Sequence, residues 1–293
     1  MVRLLVLIAS IVAVVAVVDV VLNNGGSSGP RPQVTARVPR DPAQAKHHKP
    51  KPASKLVRNA RPQADWHKYT GPVPILVYHA LGPAPSGAPF PGLYVSYGDF
   101  KAEMAWLNSH GYQAVTLDEV MKAWYHGGTL PAKPIVITFD NGYPQQVRFA
   151  PHVMARYGWP GVLNEITENH LPPSYIWPIL HRGWEVDSHS LTHPDLTTAT
   201  PAELTAQVAQ SRAYLRRTFH IPSNSFCYPS NRYNAAVIAA VKAAGYTNAT
   251  TENAGYATSA NPYLLDRFEI EAGVSELADD LLSYQPAGYG RSS

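Results

Sequence analysis

Residues 133–143 read K-P-I-V-I-T-F-D-N-G-Y, and the architecture follows from them. A run of apolar, mostly β-branched residues stops abruptly at an acid, an amide and a glycine. A buried parallel strand has this signature when it delivers polar side chains to the carboxyl edge of a sheet or barrel. Folds made of β/α units carry their chemistry at that edge. Asp140 and Asn141 are therefore the first functional candidates, and His189 and His193, spaced H-x-x-x-H, are the second.

The neighbouring sequence repeats the pattern on both sides. Residues 74–79, P-I-L-V-Y-H, predict a strand ending in His79. Residues 96–110 predict a helix with Phe100, Met104 and Leu107 on one face and Gly111 as its stop. A short strand at 114–116 precedes a helix at 117–126, and a helix at 145–157 closes on Gly158. Strands follow at 161–165 and 185–188. Thr200-Pro-Ala-Glu203 is a capping box with proline at the first helical position, opening a helix that turns Leu204, Val208 and Leu215 inward. Strands at 225–228, 248–251 and 264–271 flank a helix at 234–244, and a short helix ends the chain. Strands and helices alternate about seven times with short connections. That predicts a parallel, barrel-like α/β domain with right-handed crossovers, and a doubly wound open sheet is its rival. No G-x-G-x-x-G or G-x-x-x-x-G-K-[ST] follows any strand, which removes the main support for nucleotide binding.

Composition narrows the chemistry. The 293 residues are 45% hydrophobic, enough for a sizeable core. A single cysteine, Cys227, excludes an intramolecular disulfide and any thiolate zinc cluster. A metal would have to be held by His, Asp, Glu or Asn. The net charge of +3 hides an asymmetry: residues 23–70 carry ten Lys/Arg against two acids, while residues 71–293 carry 13 basic against 18 acidic groups. A nucleic-acid-binding domain shows the reverse, so no nucleic-acid partner is expected.

The sequence divides into three parts. Residues 1–22 are long and apolar enough to span a bilayer, with one charge, Asp19, near the far end. They read as an uncleaved signal anchor, with a cleaved signal peptide as the alternative. Residues 23–70, rich in Gly, Pro, Lys and Arg, read as a disordered basic spacer suited to solubility or to anionic envelope polymers. Residues 71–293 form the folded domain. The positive-inside rule would hold the basic spacer in the cytoplasm, but long following domains often cross regardless. The expectation is a single-pass membrane protein with its folded domain extracytoplasmic, or else a secreted one.

Four polar sites fall at strand ends: His79, Asp140-Asn141, His189 with His193, and Tyr228-Pro229. A barrel brings such positions to one face. Each has a bland reading alone, such as a helix cap for Asp140. Two imidazoles on one turn, beside an acidic strand end, can instead hold one ion.

T-F-D-N-G-Y (138–143), H-S-L-T-H (189–193) and F-C-Y-P-S-N (226–231) resemble successive motifs of the NodB-type polysaccharide deacetylases, carbohydrate esterase family 4. V-Y-H-A-L near His79, A-T-T-E-N-A-G around Thr250 and L-L-D-R-F-E-I from Leu264 resemble segments of a bacterial branch, so the likeness spans residues 72–271. It implies an irregular (β/α)7 barrel and metal-dependent removal of acetyl groups from N-acetylated sugar polymers. Asp140 would be the base, and His189 and His193 the ligands of a divalent metal such as zinc. The third ligand position, usually acidic, falls on Asn141, as it does in a branch resembling muramic-acid deacetylases. The late leucine-histidine motif is missing, so the resemblance makes His79 the expected acid, with Arg267 orienting Asp140. Tyr143, Tyr228 and Pro229 would contact substrate. An amide brings no charge to a metal, so weak occupancy is expected, and a glycan-binding pseudoenzyme or an O-acetyl esterase on xylan-like polymers stands as the alternative.

Overall fold

The computed structural model describes residues 55–293 except positions 169, 272, 287, 288 and 290–293. The anchor at 1–22 and most of the spacer lie outside the described residues. Among the described residues no helix is long and apolar enough to cross a membrane. The folded part begins earlier than residue 71. Val57 and Trp66 are buried, and the Asn59 side-chain amide donates to the Ala114 carbonyl at 3.0 Å, so residues 55–70 pack onto the domain. Two apolar anchors outweigh the polar composition that suggests a spacer.

One sheet organises the rest. Its strands are β1 (Val73–Tyr78), β2 (Gln113–Val115), β3 (Pro134–Asn141), β4 (Val162–Glu165), β5 (Glu185–Ser188), β6 (Ser225–Cys227), β7 (Asn248–Thr250), β8 (Tyr256–Ala257) and β9 (Phe268–Glu269). The order is β7-β6-β5-β4-β3-β1-β8, with β2 also on β3 and β9 also on β1. All these pairings are parallel except β8 with β1. Leu265 bridges in parallel to Thr250 beyond one end, while Phe268 and Glu269 pair with Leu76 and Val77. A single segment thus touches β7 and β1, and the sheet curls back on itself. This curled α/β sheet is consistent with the seven-unit barrel expected from the sequence.

The helices are α1 (Tyr97–Ser109), α2 (Leu117–His126), α3 (Pro144–Arg148), α4 (Ala150–Met154), α5 (Pro173–Leu180), α6 (Pro201–Phe219), α7 (Ala235–Ala243) and α8 (Val274–Ser283). Reciprocal capping boxes start α2 at Thr116/Glu119 and α6 at Thr200/Glu203. Leu204, Val208 and Leu215 are buried on α6 as predicted. The helix expected over 145–157 is instead α3, α4 and a 3-10 turn, since the backbone N–H is missing at Pro151. The last strand, expected over 264–271, shortens to β9.

β3 is the spine of the core. Seven of its residues are buried, and Ile135, Ile137 and Phe139 alternate with Val136 between the two largest apolar clusters. Burial on both faces leaves only its last residues free for chemistry, at the carboxyl edge.

Candidate active site

Asp140 sits at the end of β3 with no exposed surface. Register pairs it with Asn164 on β4, whose side-chain amide donates to Asp140 Oδ1 at 2.7 Å. Arg267, equally buried, grips the carboxylate with both guanidinium nitrogens: Nη1 to Oδ1 at 2.9 Å and Nη2 to Oδ2 at 2.8 Å. Its Nε donates to the Thr251 carbonyl and Nη1 also to Thr138 Oγ1, so the fork is fixed before it meets the acid. The Cys227 thiol donates to Asp140 Oδ2 at 3.2 Å. Burial alone would raise the Asp140 pKa. The Arg267 charge, then the nearby His189, outweigh burial and hold the carboxyl well below the ordinary range. Arg267 thus holds both oxygens of Asp140.

The histidines come from the loop after β5. Ser190 and His193 adopt positive φ, 67° and 63°. A net of local bonds holds this turn: Ser190 N–H donates to Ser188 Oγ, His193 N–H to Ser190 Oγ, and Leu191 and Thr192 N–H to Gln207 Oε1. His189 Nδ1 donates to the Cys227 carbonyl at 3.0 Å, so Nε2 carries the lone pair. That Nε2 faces His193 Nε2 at 3.0 Å and Asp140 Oδ2 at 4.0 Å. Burial lowers the pKa of both rings, His193 to about 3 with help from the His189 charge. Neutral imidazoles converging through Nε2, one with its Nδ1–H tied to a carbonyl, are the form a divalent ion binds.

Asn141 ends β3 with φ 79°, and Gly142 follows at 78°. A Cβ at Gly142 would displace the Glu165 carboxylate and sit on a left-handed backbone, so glycine is favoured there on both counts. Asn141 Oδ1 is buried with no hydrogen-bond partner, an orphan acceptor at the edge that carries the histidines. The donor set of His189, His193 and the Asn141 amide therefore fits a divalent cation, without the negative charge of an acidic ligand. Asp140, His189 and Cys227 also bring one ligand atom each within 4.8 Å of one another. Arg267 Nη2, 3.2 Å from the sulfur, opposes a cation at that grouping.

His79 follows β1 and is buried. It shares a 4.8 Å cluster with Asp140 and Glu252. Its Nε2 lies 4.0 Å from Glu252 Oε1, and its Nδ1 3.5 Å from Glu269 Oε1. Burial pushes His79 down to about 4, against the pull of Asp140, and pushes Glu252 up to about 8, against that of Arg267. Burial thus favours the neutral form of both groups. Sequence reading misses Glu252, Asn164 and Cys227. Glu252 has a signal, because it is an acid just past a strand end, as Asp140 is.

Tyr228 and Pro229 are buried beyond β6. The Tyr228 hydroxyl donates to the Tyr263 carbonyl and its ring packs on Phe226 and Tyr233, so this phenol serves the core. Tyr143 is the N-cap residue of α3, two positions past Asn141, and is partly exposed.

The polysaccharide deacetylase sequence model matches residues 127–249. YxkH of Bacillus subtilis (strain 168), named among the polysaccharide deacetylases, is 28% identical over 236 residues, 77% of this chain and 82% of that protein. Over 62 residues, 21% of this chain and 9% of the relative, identity is 34% to the poly-beta-1,6-N-acetyl-D-glucosamine N-deacetylase of Escherichia coli (strain K12). The structure of the Streptococcus pyogenes deacetylase PplD in complex with acetate superposes with a TM-score of 0.68 at 25% identity, covering 74% of this chain and all of that one. Sequence, relatives and fold agree on one likeness: residues 127–249 match the polysaccharide deacetylases, and the described fold is that of the NodB-type deacetylase hydrolases of carbohydrate esterase family 4.

Proposed function

We propose that the protein removes acetyl groups from N-acetylated sugar residues of an envelope glycan, a poly-N-acetylglucosamine or peptidoglycan. The observation that carries this reading is Asp140, a buried carboxylate clamped by Arg267, 4.0 Å from an imidazole lone pair. His189 and His193, with Asn141, would hold a divalent cation, which when bound lowers the pKa of water toward about 7 and polarises a carbonyl.

The side chains then divide the proton work. Asp140 takes the proton that an attacking water must lose, and Arg267 and Asn164 keep its oxygens in place while it does so. His79 would protonate the departing amine, drawing on Glu252 behind it. Tyr143 borders the mouth where a sugar would enter.

The E. coli relative's substrate favours a poly-N-acetylglucosamine, and the basic residues of the spacer suit work in an anionic wall. Residues 1–22 would anchor the protein in the membrane, with the domain outside. Asn141 in the third ligand position favours a second reading, a glycan-binding protein without turnover. Acetate release from poly-N-acetylglucosamine, peptidoglycan and O-acetylated xylan, each with and without added Zn²⁺, tests the proposal. Release from N-acetylated polymers supports it. Release from xylan alone, or from none, overturns it.

A further inference from the structure

A second polar site lies away from the catalytic edge. A cavity of about 310 Å³ opens between the start of α2, the start of β5 and the segment leading into β6. Four carboxylates line it, and three of them are anchored in the same way. Glu185 Oε2 accepts the Asp118 N–H at 2.9 Å, and Asp187 Oδ1 accepts the Ser225 N–H at 3.0 Å. Glu119 Oε2 accepts the Thr116 N–H at 3.0 Å. The second oxygen of each, Glu185 Oε1, Asp187 Oδ2 and Glu119 Oε1, is buried without a hydrogen-bond partner. So is Ser223 Oγ, which also lines the cavity. Asp187 is fully buried, Ser223 2% exposed and Glu119 8%.

Ser223 Oγ and Glu119 Oε1 are left without a partner, and the facing Glu185 and Asp187 carboxyls must share either a proton or an ion, so the cavity is poised for a ligand that satisfies several oxygens at once. We infer that this cavity binds a hydrated hard divalent cation, Ca²⁺ or Mg²⁺, through the free oxygens of Glu185 and Asp187, with Ser223 and Glu119 completing the shell directly or through water. The donors are all oxygen, the class these ions take, and none is the imidazole or thiolate that zinc favours. Glu185 and Asp187 lie within hydrogen-bonding reach of each other, close enough to share a proton when the cavity is empty or an ion when it is filled. Among the described residues no three acidic side chains here bring ligand atoms within 4.8 Å of one another. A dry carboxylate cage is therefore excluded, and the ion keeps several waters, as Mg²⁺ commonly does.

The experiment is equilibrium dialysis of the protein against Ca²⁺ or Mg²⁺, each alone, with bound metal counted per chain and melting followed in parallel. His189→Ala/His193→Ala removes the catalytic-edge ligands, and Asp187→Asn and Glu119→Gln probe the cavity. One ion per chain is expected in wild type and in the double histidine variant, with a melting rise of about 5 °C at a hundredfold excess over Kd. Asp187→Asn should weaken binding at least tenfold, and Glu119→Gln, whose cap bond survives, by a few-fold. No bound Ca²⁺ or Mg²⁺, or an ion lost with the histidines and kept in both cavity variants, would overturn the inference.

Discussion

Replacing Arg267 with leucine removes the guanidinium that grips Asp140 and leaves the carboxylate in a site with no exposed surface. Taking one partner from a buried ion pair costs about 3–5 kcal/mol, because the other charge stays behind without water. Asn164 and Cys227 still donate to Asp140, which moderates the loss, while Thr251 and Thr138 each lose a donor. We expect a cost of about 4 kcal/mol at pH 8. The cost should depend on pH, with a definite sign. In the wild type the folded Asp140 pKa lies below its unfolded value, so the pair's contribution is present above about pH 4 and fades below it. In the variant, burial without a counter-charge sets the folded pKa above the unfolded one. Stability is then greatest at low pH and is lost as pH rises through the new value, with a slope of up to about 1.4 kcal/mol per pH unit. The gap between the proteins therefore widens from pH 5 to pH 8. Urea unfolding followed by tryptophan fluorescence at both pH values measures it. A gap under about 1 kcal/mol, or one that does not change with pH, would show that the clamp does not hold a buried charge in place.

Other substitutions probe the remaining parts. Asn141→Asp adds a charge at the proposed third ligand position and should raise divalent-metal affinity at least tenfold, read by competition with a chromophoric chelator. Gly142→Ala forces a left-handed alanine into the Glu165 carboxylate and should cost at least about 2 kcal/mol, read by chemical denaturation. In a Glu165→Ala background the collision vanishes, so the remaining cost should fall to the strain of the positive φ alone. Burial pushes Glu103 and Glu119 up to about 7 and Glu165 up to about 8. Folded pKa values above the unfolded value of about 4.3 mean that the native state holds extra protons in between. The melting temperature should therefore fall from pH 5 to pH 8.5, and Glu165→Gln should flatten the upper part of that decline.

How much of this is legible in the chain depends on distance along it. β3 is readable because an apolar run needs no partner to be recognised, and its polar end marks the edge. The starts of α2 and α6 follow from residues three positions apart. The helix α5 escapes a sequence reading, since Pro172, Pro173 and Pro178 crowd it, yet prolines at its start cost little and Ile176 and Ile179 bury its inner face. The shell around Asp140 is only partly legible. Arg267 is found through the family motif, whereas Asn164, Cys227 and Glu252 approach from 24 to 112 positions away. No local pattern encodes such contacts; the curl of the sheet makes them. Tyr228 shows the opposite case, a motif residue whose hydroxyl is used inside the core.

The proposed chemistry rests on Asp140 performing the proton transfer of a deacetylation beside a metal held by two histidines. The decisive measurement is acetate release from poly-N-acetylglucosamine by wild type, Asp140→Asn and His189→Ala, with bound metal counted in each. Asp140→Asn should keep its metal and lose at least a hundredfold in rate, while His189→Ala should lose both. An Asp140→Asn protein that releases acetate at the wild-type rate would contradict the proposed role of Asp140.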